Sequence, residues 1–158
     1  HNTTQLCICE LERLVKPGDR LLDMGCGSGI LSVAAHMLGA EDVTAVDIDP
    51  NAVRIAAENA EKNGFALHTG VGDVIGDTEL SARIGTDYDI IVANIVADVI
   101  MGMQNILKSK LKPEGTLIVS GIIAPRADEV QESLLGAGFE LDRRDQSGDW
   151  VAMTLHQA

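Results

Sequence analysis

Three glycines at alternate positions, Gly25, Gly27 and Gly29, follow a short apolar run that carries an acid, Asp23, and lead into an apolar helical pattern. Glycine lets a backbone turn sharply and come close to a ligand. The helix behind it offers free N–H groups and a positive end. Strand, glycine turn, helix is the shape of a nucleotide site, and the spacing narrows the class. A phosphate-cradling loop needs GxxxxGK followed by Ser or Thr, which is absent. A dinucleotide loop needs GxGxxG, but Ile30 stands after Gly29, so the spacing here is GxGxG. A tight turn with no ligand is the bland alternative.

Two further residues sit where the ends of strands are expected. Asp47, in AVDID, lies 22 residues after Gly25. That is about the distance at which an acid meets the ribose hydroxyls of a nucleoside, and a carboxylate accepts from both hydroxyls. Its neighbour Asp49, before Pro50, is better explained as a helix cap. Asn94 ends the apolar run YDIIVANI and is either a site residue or a loop cap. Nothing has metal-ligand spacing, and no Ser–His–Asp or Cys–His pairing can be argued. His36, His68 and His156 read as structural, His1 as a terminal residue rather than a base, and Tyr88 and Trp150 as packing residues.

The elements that must position these residues alternate between strand and helix. Residues 3–15 read as an amphipathic helix with Thr3 or Thr4 as N-cap, and 20–24 as a buried strand. A helix over 29–38 is closed by Gly39. A strand over 43–48 is followed by a helix over 50–62 and a weak strand over 66–69. Residues 70–86 are rich in Gly, Asp and Thr and read as loop. Residues 88–95 are a strand apolar enough to be buried on both faces, and a helix runs on to about 110. A turn at 112–115 leads to a strand over 116–122, and a helix covers 126–135. Strands over 139–145 and 150–156 form a closing hairpin around residues 146–149. Such alternation forces a mostly parallel sheet between helical layers, with one antiparallel strand added at the edge by the hairpin. The ligand site of such a sheet lies beyond the carboxyl ends of its strands.

The 158 residues suit one domain, residues 1–158, with 46% apolar content. No apolar run reaches membrane-span length, and no export signal is read. The net charge of -12 makes direct nucleic-acid binding unfavourable and suits a basic partner. Cys7, Cys9 and Cys26 are odd in number and lack framework spacing, which points to a reducing compartment. Cys7 and Cys9 fall on different helix faces. A monomer is expected. The chain opens on His1, not Met, which suggests a processed form or a piece of something longer.

The GxGxG loop with its preceding acid resembles motif I of the class I S-adenosylmethionine-dependent methyltransferases, whose fold is a Rossmann-like three-layer α/β sandwich. The segments HNTT, DMGCGSGIL, AVDIDP, ENAEKNG, VANIVADV, GTLIVSGI and DWVAM, in this order, resemble the catalytic domain of the bacterial ribosomal protein L11 methyltransferases along essentially the whole chain. The resemblance implies S-adenosyl-L-methionine as methyl donor and S-adenosyl-L-homocysteine as product. It implies donor contacts from Thr4, Gly25, Gly27, Gly29 and Asp47. Asp23 falls near the amino end of the donor, Asp73 at the adenine with Asp77 as its rival, and Asn94 at the methyl-transfer corner. Thr4 as a mere cap is the alternative there. The implied acceptors are lysine and N-terminal amines of ribosomal protein L11, in the cytoplasm. The family has a further N-terminal domain that docks the substrate, so the resemblance makes this chain the donor-binding half. The corner lacks the Asn-Pro-Pro-aromatic pattern of enzymes acting on nucleobases. RNA or a small molecule as acceptor, or a binding module without turnover, remain as alternatives.

Overall fold

The computed structural model describes residues 2–158. His1, and its reading as a terminal residue rather than a base, lies outside the described residues. The chain runs α1 (Asn2–Leu14), β1 (Arg20–Met24), α2 (Ile30–Met37), β2 (Asp42–Asp47), α3 (Pro50–Lys62), β3 (His68–Val71), α4 (Thr78–Ile84), β4 (Tyr88–Asn94), α5 (Ala97–Lys110), β5 (Leu111–Ile123), α6 (Ala127–Gly136), β6 (Phe139–Ser147) and β7 (Trp150–Gln157). The seven strands lie in the order β3-β2-β1-β4-β5-β7-β6. β3 through β5 are parallel, and β7 is antiparallel to both β5 and β6. The hairpin thus supplies the antiparallel strand, one place in from the edge. This is the class I methyltransferase architecture. Strand order reverses between β1 and β4, which is the switch point.

Side chains alternate across the sheet, and each face has its own core. Leu22, Met24, Ile91 and Ala93 face α5 and α6, where they join Ile100, Leu107, Val130 and Leu134. Leu21, Val43, Ile90 and Val92 face α1 and α2, with Cys7, Leu11, Leu31 and Ala35. Burying each large apolar side chain in these layers contributes about 1.5–3 kcal/mol. Some buried polar groups tie elements together. Glu10 accepts from Thr154 Oγ1 and Arg13 Nη2 (2.9 Å), which fastens α1 to β7.

Local expectations fare unevenly. α3 starts as expected, with Asp49 Oδ1 accepting from Asn51 N (2.9 Å) and Pro50 in the first turn. β3 begins two residues later than expected. The stretch read as loop contains α4, capped by Asp77, whose Oδ1 accepts from Leu80 N (3.0 Å). The turn expected at residues 112–115 falls inside β5 as a register break, with Tyr88 opposite Leu111 and Ile90 opposite Thr116. Thr3 and Thr4 lie within the first turn of α1 rather than capping it. Cys7 is buried and Cys9 exposed, on different faces as their spacing required.

Candidate active site

Parallel register sets the ends of four strands side by side. Met24 lies between Val46 and Ala93, Asp47 lies beside Val71, and Asn94 lies beside Ser120. Beyond these ends opens a cavity of about 660 Å³, within the usual range for small ligands. Gly25, Asp47, Asp73 and Asn94 all line it, so the structure brings these four predicted site residues together. The walls are otherwise largely apolar, including Met24, Ile48, Val74, Ile95, Val99 and Met103.

The glycine loop has the left-handed turns its sequence promised, with φ of 75°, 52° and 82° at Gly25, Gly27 and Gly29. The reasons differ by position. A Cβ on Gly29 would stand 2.8 Å from Ala56 Cβ, so this glycine lets α2 start against α3. At Gly27 a Cβ would meet nothing within 4 Å. The loop is bolted to β2 by hydrogen bonds from Gly25 N (2.8 Å) and Cys26 N (3.0 Å) to Val46 O. Asp47 completes that fastening, because its Oδ2 accepts from Gly27 N (2.9 Å) and its Oδ1 from Asp49 N (3.0 Å). Each carboxylate oxygen has a second lone pair, so the ligand-facing capacity of Asp47 is retained.

Asp73 is exposed at the cavity edge, with Oδ1 accepting from Ile75 N (3.0 Å). With Asp77 spent as the cap of α4, Asp73 is the acid of this segment that faces the cavity. Asn94 is half-buried at the end of β4. The chain leaves it anchored, since Ile95 N donates to Ser120 O (3.1 Å). Thr4 does not line the cavity, but its turn is close to the corner. Ser120 Oγ donates to Thr3 O (3.4 Å), which joins the start of α1 to the strand beside Asn94.

Asp23 is placed differently. Alternation along β1 turns Met24 into the cavity and Asp23 to the opposite face, toward α2. It is fully buried, and its Oδ2 accepts from Ser32 Oγ (2.7 Å) while Oδ1 has no partner. Burial pushes its carboxyl up to about 6, against the lowering effect of the Ser32 hydrogen bonds. Burial likewise pushes the Cys26 thiol up to about 12, helped by the charges of Asp23 and Asp47, so this loop cysteine stays protonated. The three described histidines sit apart from the cavity. His36 stacks on Phe65, His68 faces Asp42, and His156 lies between Glu140 and Asp142.

Sequence reasoning missed three participants. Asp98, in the first turn of α5, lines the cavity and pairs with Arg126 (2.7 Å), which holds its carboxyl below the usual range. Ile95 packs over Gly25. Gly121, with φ of 82°, lies against Asn94 and Ile95. Only Gly121 carried a sequence signal, a glycine inside a strand.

Comparison with known proteins agrees with this geometry. A family model described as ribosomal protein L11 methyltransferase (PrmA) matches residues 1–158. The ribosomal protein L11 methyltransferase of Agathobacter rectalis is 42% identical over 164 residues, covering 99% of this chain and 51% of that protein. Its namesake in Pelotomaculum thermopropionicum is 47% identical over 153 residues, covering 97% and 48%. A crystal structure of ribosomal protein L11 methylase from Lactobacillus delbrueckii subsp. bulgaricus superimposes with a TM-score of 0.89 at 35% identity, covering 99% of this chain and 79% of that one. The chain spans about half the length of the curated relatives it matches. With the match running through every strand end that lines the cavity, the chain belongs to the ribosomal protein L11 methyltransferase family.

Proposed function

We propose that this domain binds S-adenosyl-L-methionine in the switch-point cavity and methylates lysine and N-terminal amines of ribosomal protein L11. The observation that carries the reading is the lining. Asp47, Asp73 and Asp98 face the cavity, and among the described residues that line it none is Lys or Arg. A dinucleotide would bring phosphates to three carboxylates, and the cation beside them, Arg126, is already held by Asp98 and Glu129. A nucleoside with a cationic tail meets hydroxyl acceptors, apolar walls and a favourable field.

Gly25 and its loop would hold the amino-acid portion of the donor, Asp47 the ribose hydroxyls, and Asp73 with Val74 the base. When bound, the donor supplies a methyl made electrophilic by its sulfonium. The protein's task is then alignment. The side-chain oxygen of Asn94 accepts from the incoming amine and orients it. A lysine ammonium, with a free pKa of about 10.4, has no lone pair until it loses a proton. The apolar walls at Ile95, Val96 and Val99 favour the neutral amine by desolvation. Thr4, Asp23, Gly27 and Gly29 shape the site from behind. In this reading the domain works as a monomer in the cytoplasm, on protein rather than nucleic acid, and shares capture of the ribosomal protein with a further domain.

Calorimetric titration with S-adenosyl-L-methionine, with NAD as control, tests the donor assignment. Binding of the methyl donor alone is expected, weakened about 10-fold or more in Asp47→Ala. Binding of NAD instead would overturn it. Labelled methyl transfer to purified L11 at high concentration tests the acceptor. Asn94→Ala is expected to cut turnover about 100-fold and to raise the donor Kd far less. Equal loss in both would remove Asn94 from the transfer itself.

A further inference from the structure

Ile95 is gripped between two glycines in the left-handed region. On one side is Gly25, where a Cβ would stand 2.3 Å from Ile95 Cγ2. On the other is Gly121, where a Cβ would stand 2.9 Å from Ile95 O, 3.2 Å from Ile95 N and 3.1 Å from Asn94 Oδ1. The backbone of Ile95 is thus seated on β5, an arrangement completed by its hydrogen bond to Ser120 O (3.1 Å). Its side chain reaches back across the end of β1 to the glycine loop. A β-branched side chain has little freedom at χ1, so the Cγ2 methyl cannot swing away cheaply.

The absence of a side chain at Gly25 is therefore demanded by the protein's own Ile95. We propose that Ile95 is a positioning residue that sets the spacing between the donor loop and the Asn94 corner, with Gly25 a glycine on account of its side chain and Gly121 one on account of its backbone and Asn94. This rests on the reading of the cavity as the methyl-donor site. The two claims separate because the spacing can be probed by coupling between residues, whereas the donor assignment depends on wild-type binding.

The test is a double-mutant cycle of Gly25→Ala and Ile95→Ala, read as the calorimetric Kd for S-adenosyl-L-methionine, with circular dichroism to establish folding. In the wild-type background Gly25→Ala is expected to weaken binding on the order of 100-fold, through the clash with Ile95 and left-handed strain. In the Ile95→Ala background the same substitution should cost on the order of 10-fold or less, the strain alone. Ile95→Leu keeps the volume but lacks Cγ2, and replaces Ile95→Ala in the cycle if the alanine variant does not fold. Equal costs in both backgrounds would mean that backbone strain or room for the ligand, and not Ile95, requires the glycine, and would overturn the proposal while leaving the donor site standing. Failure of the folded wild-type chain to bind the donor would overturn the donor site and this proposal with it. A second readout is turnover, which Ile95→Leu should lower more than it raises the donor Kd. The reverse ordering would show a packing role only.

Discussion

Asp23 carries an unusual cost for a residue so close to a ligand site. Its carboxyl is fully buried, has one oxygen without a partner, and is raised from its ordinary 3.8 to about 6, chiefly by desolvation. The sign follows from linkage. Below the ordinary value both folded and unfolded chains hold the proton, and no penalty arises. Between pH 4 and 6 the unfolded chain releases the proton while the folded chain keeps it, so stability falls as pH rises. Above about 6 the full cost of the buried charge is present, on the order of 3 kcal/mol for such a shift. Asp23→Asn keeps an acceptor for Ser32 and cannot ionise. Urea unfolding between pH 4 and 7 should show a shallower loss of stability with rising pH in the variant than in the wild type. Parallel curves would mean that Asp23 does not titrate in this window.

Elements explain why some of this was legible and some was not. α3 announced itself through Asp49-Pro50, because a cap and a pre-set φ are local chemistry. The glycine loop and Asp47 were readable because the spacing of a strand, turn and helix is fixed by geometry. α4 is only seven residues long, too short for a helical period to stand out among Gly, Asp and Thr. The wedge of Ile95 between Gly25 and Gly121 joins residues far apart in sequence, so no local pattern records it. The same holds for Asp23, whose inward face follows from the register of β1 against α2. α4 matters to the site because its cap stands at the end of the Asp73 loop, where Asp77 N donates to Asp73 O (2.8 Å). Asp77→Ala should cost about 1 kcal/mol of stability and loosen that loop, visible as faster amide exchange at residues 73–80. Asp73→Ala should weaken donor binding without that stability loss. If the two variants behave alike, Asp73 acts through the loop and not at the cavity.

At the scale of the whole molecule, 24 acids against 12 bases give a strongly negative surround, and the acids lining the cavity add to it locally. The proposed donor and product differ in charge. S-adenosyl-L-methionine carries a sulfonium, an ammonium and a carboxylate, for a net charge of +1. S-adenosyl-L-homocysteine has lost the sulfonium and is neutral overall. A negative field therefore attracts the donor and is nearly indifferent to the product, which opposes product inhibition without any contact specific to the methyl group. The field is screened by salt, with a Debye length of about 10 Å at 0.1 M. A unit charge close to several partly screened carboxylates gains on the order of 1 kcal/mol, which amounts to a few-fold in affinity. Calorimetric titrations at low and high salt should therefore raise the Kd of the donor a few-fold and leave that of the product almost unchanged. Equal responses of the two ligands would show that discrimination resides in contacts at the methyl-transfer corner and not in the charge of the molecule.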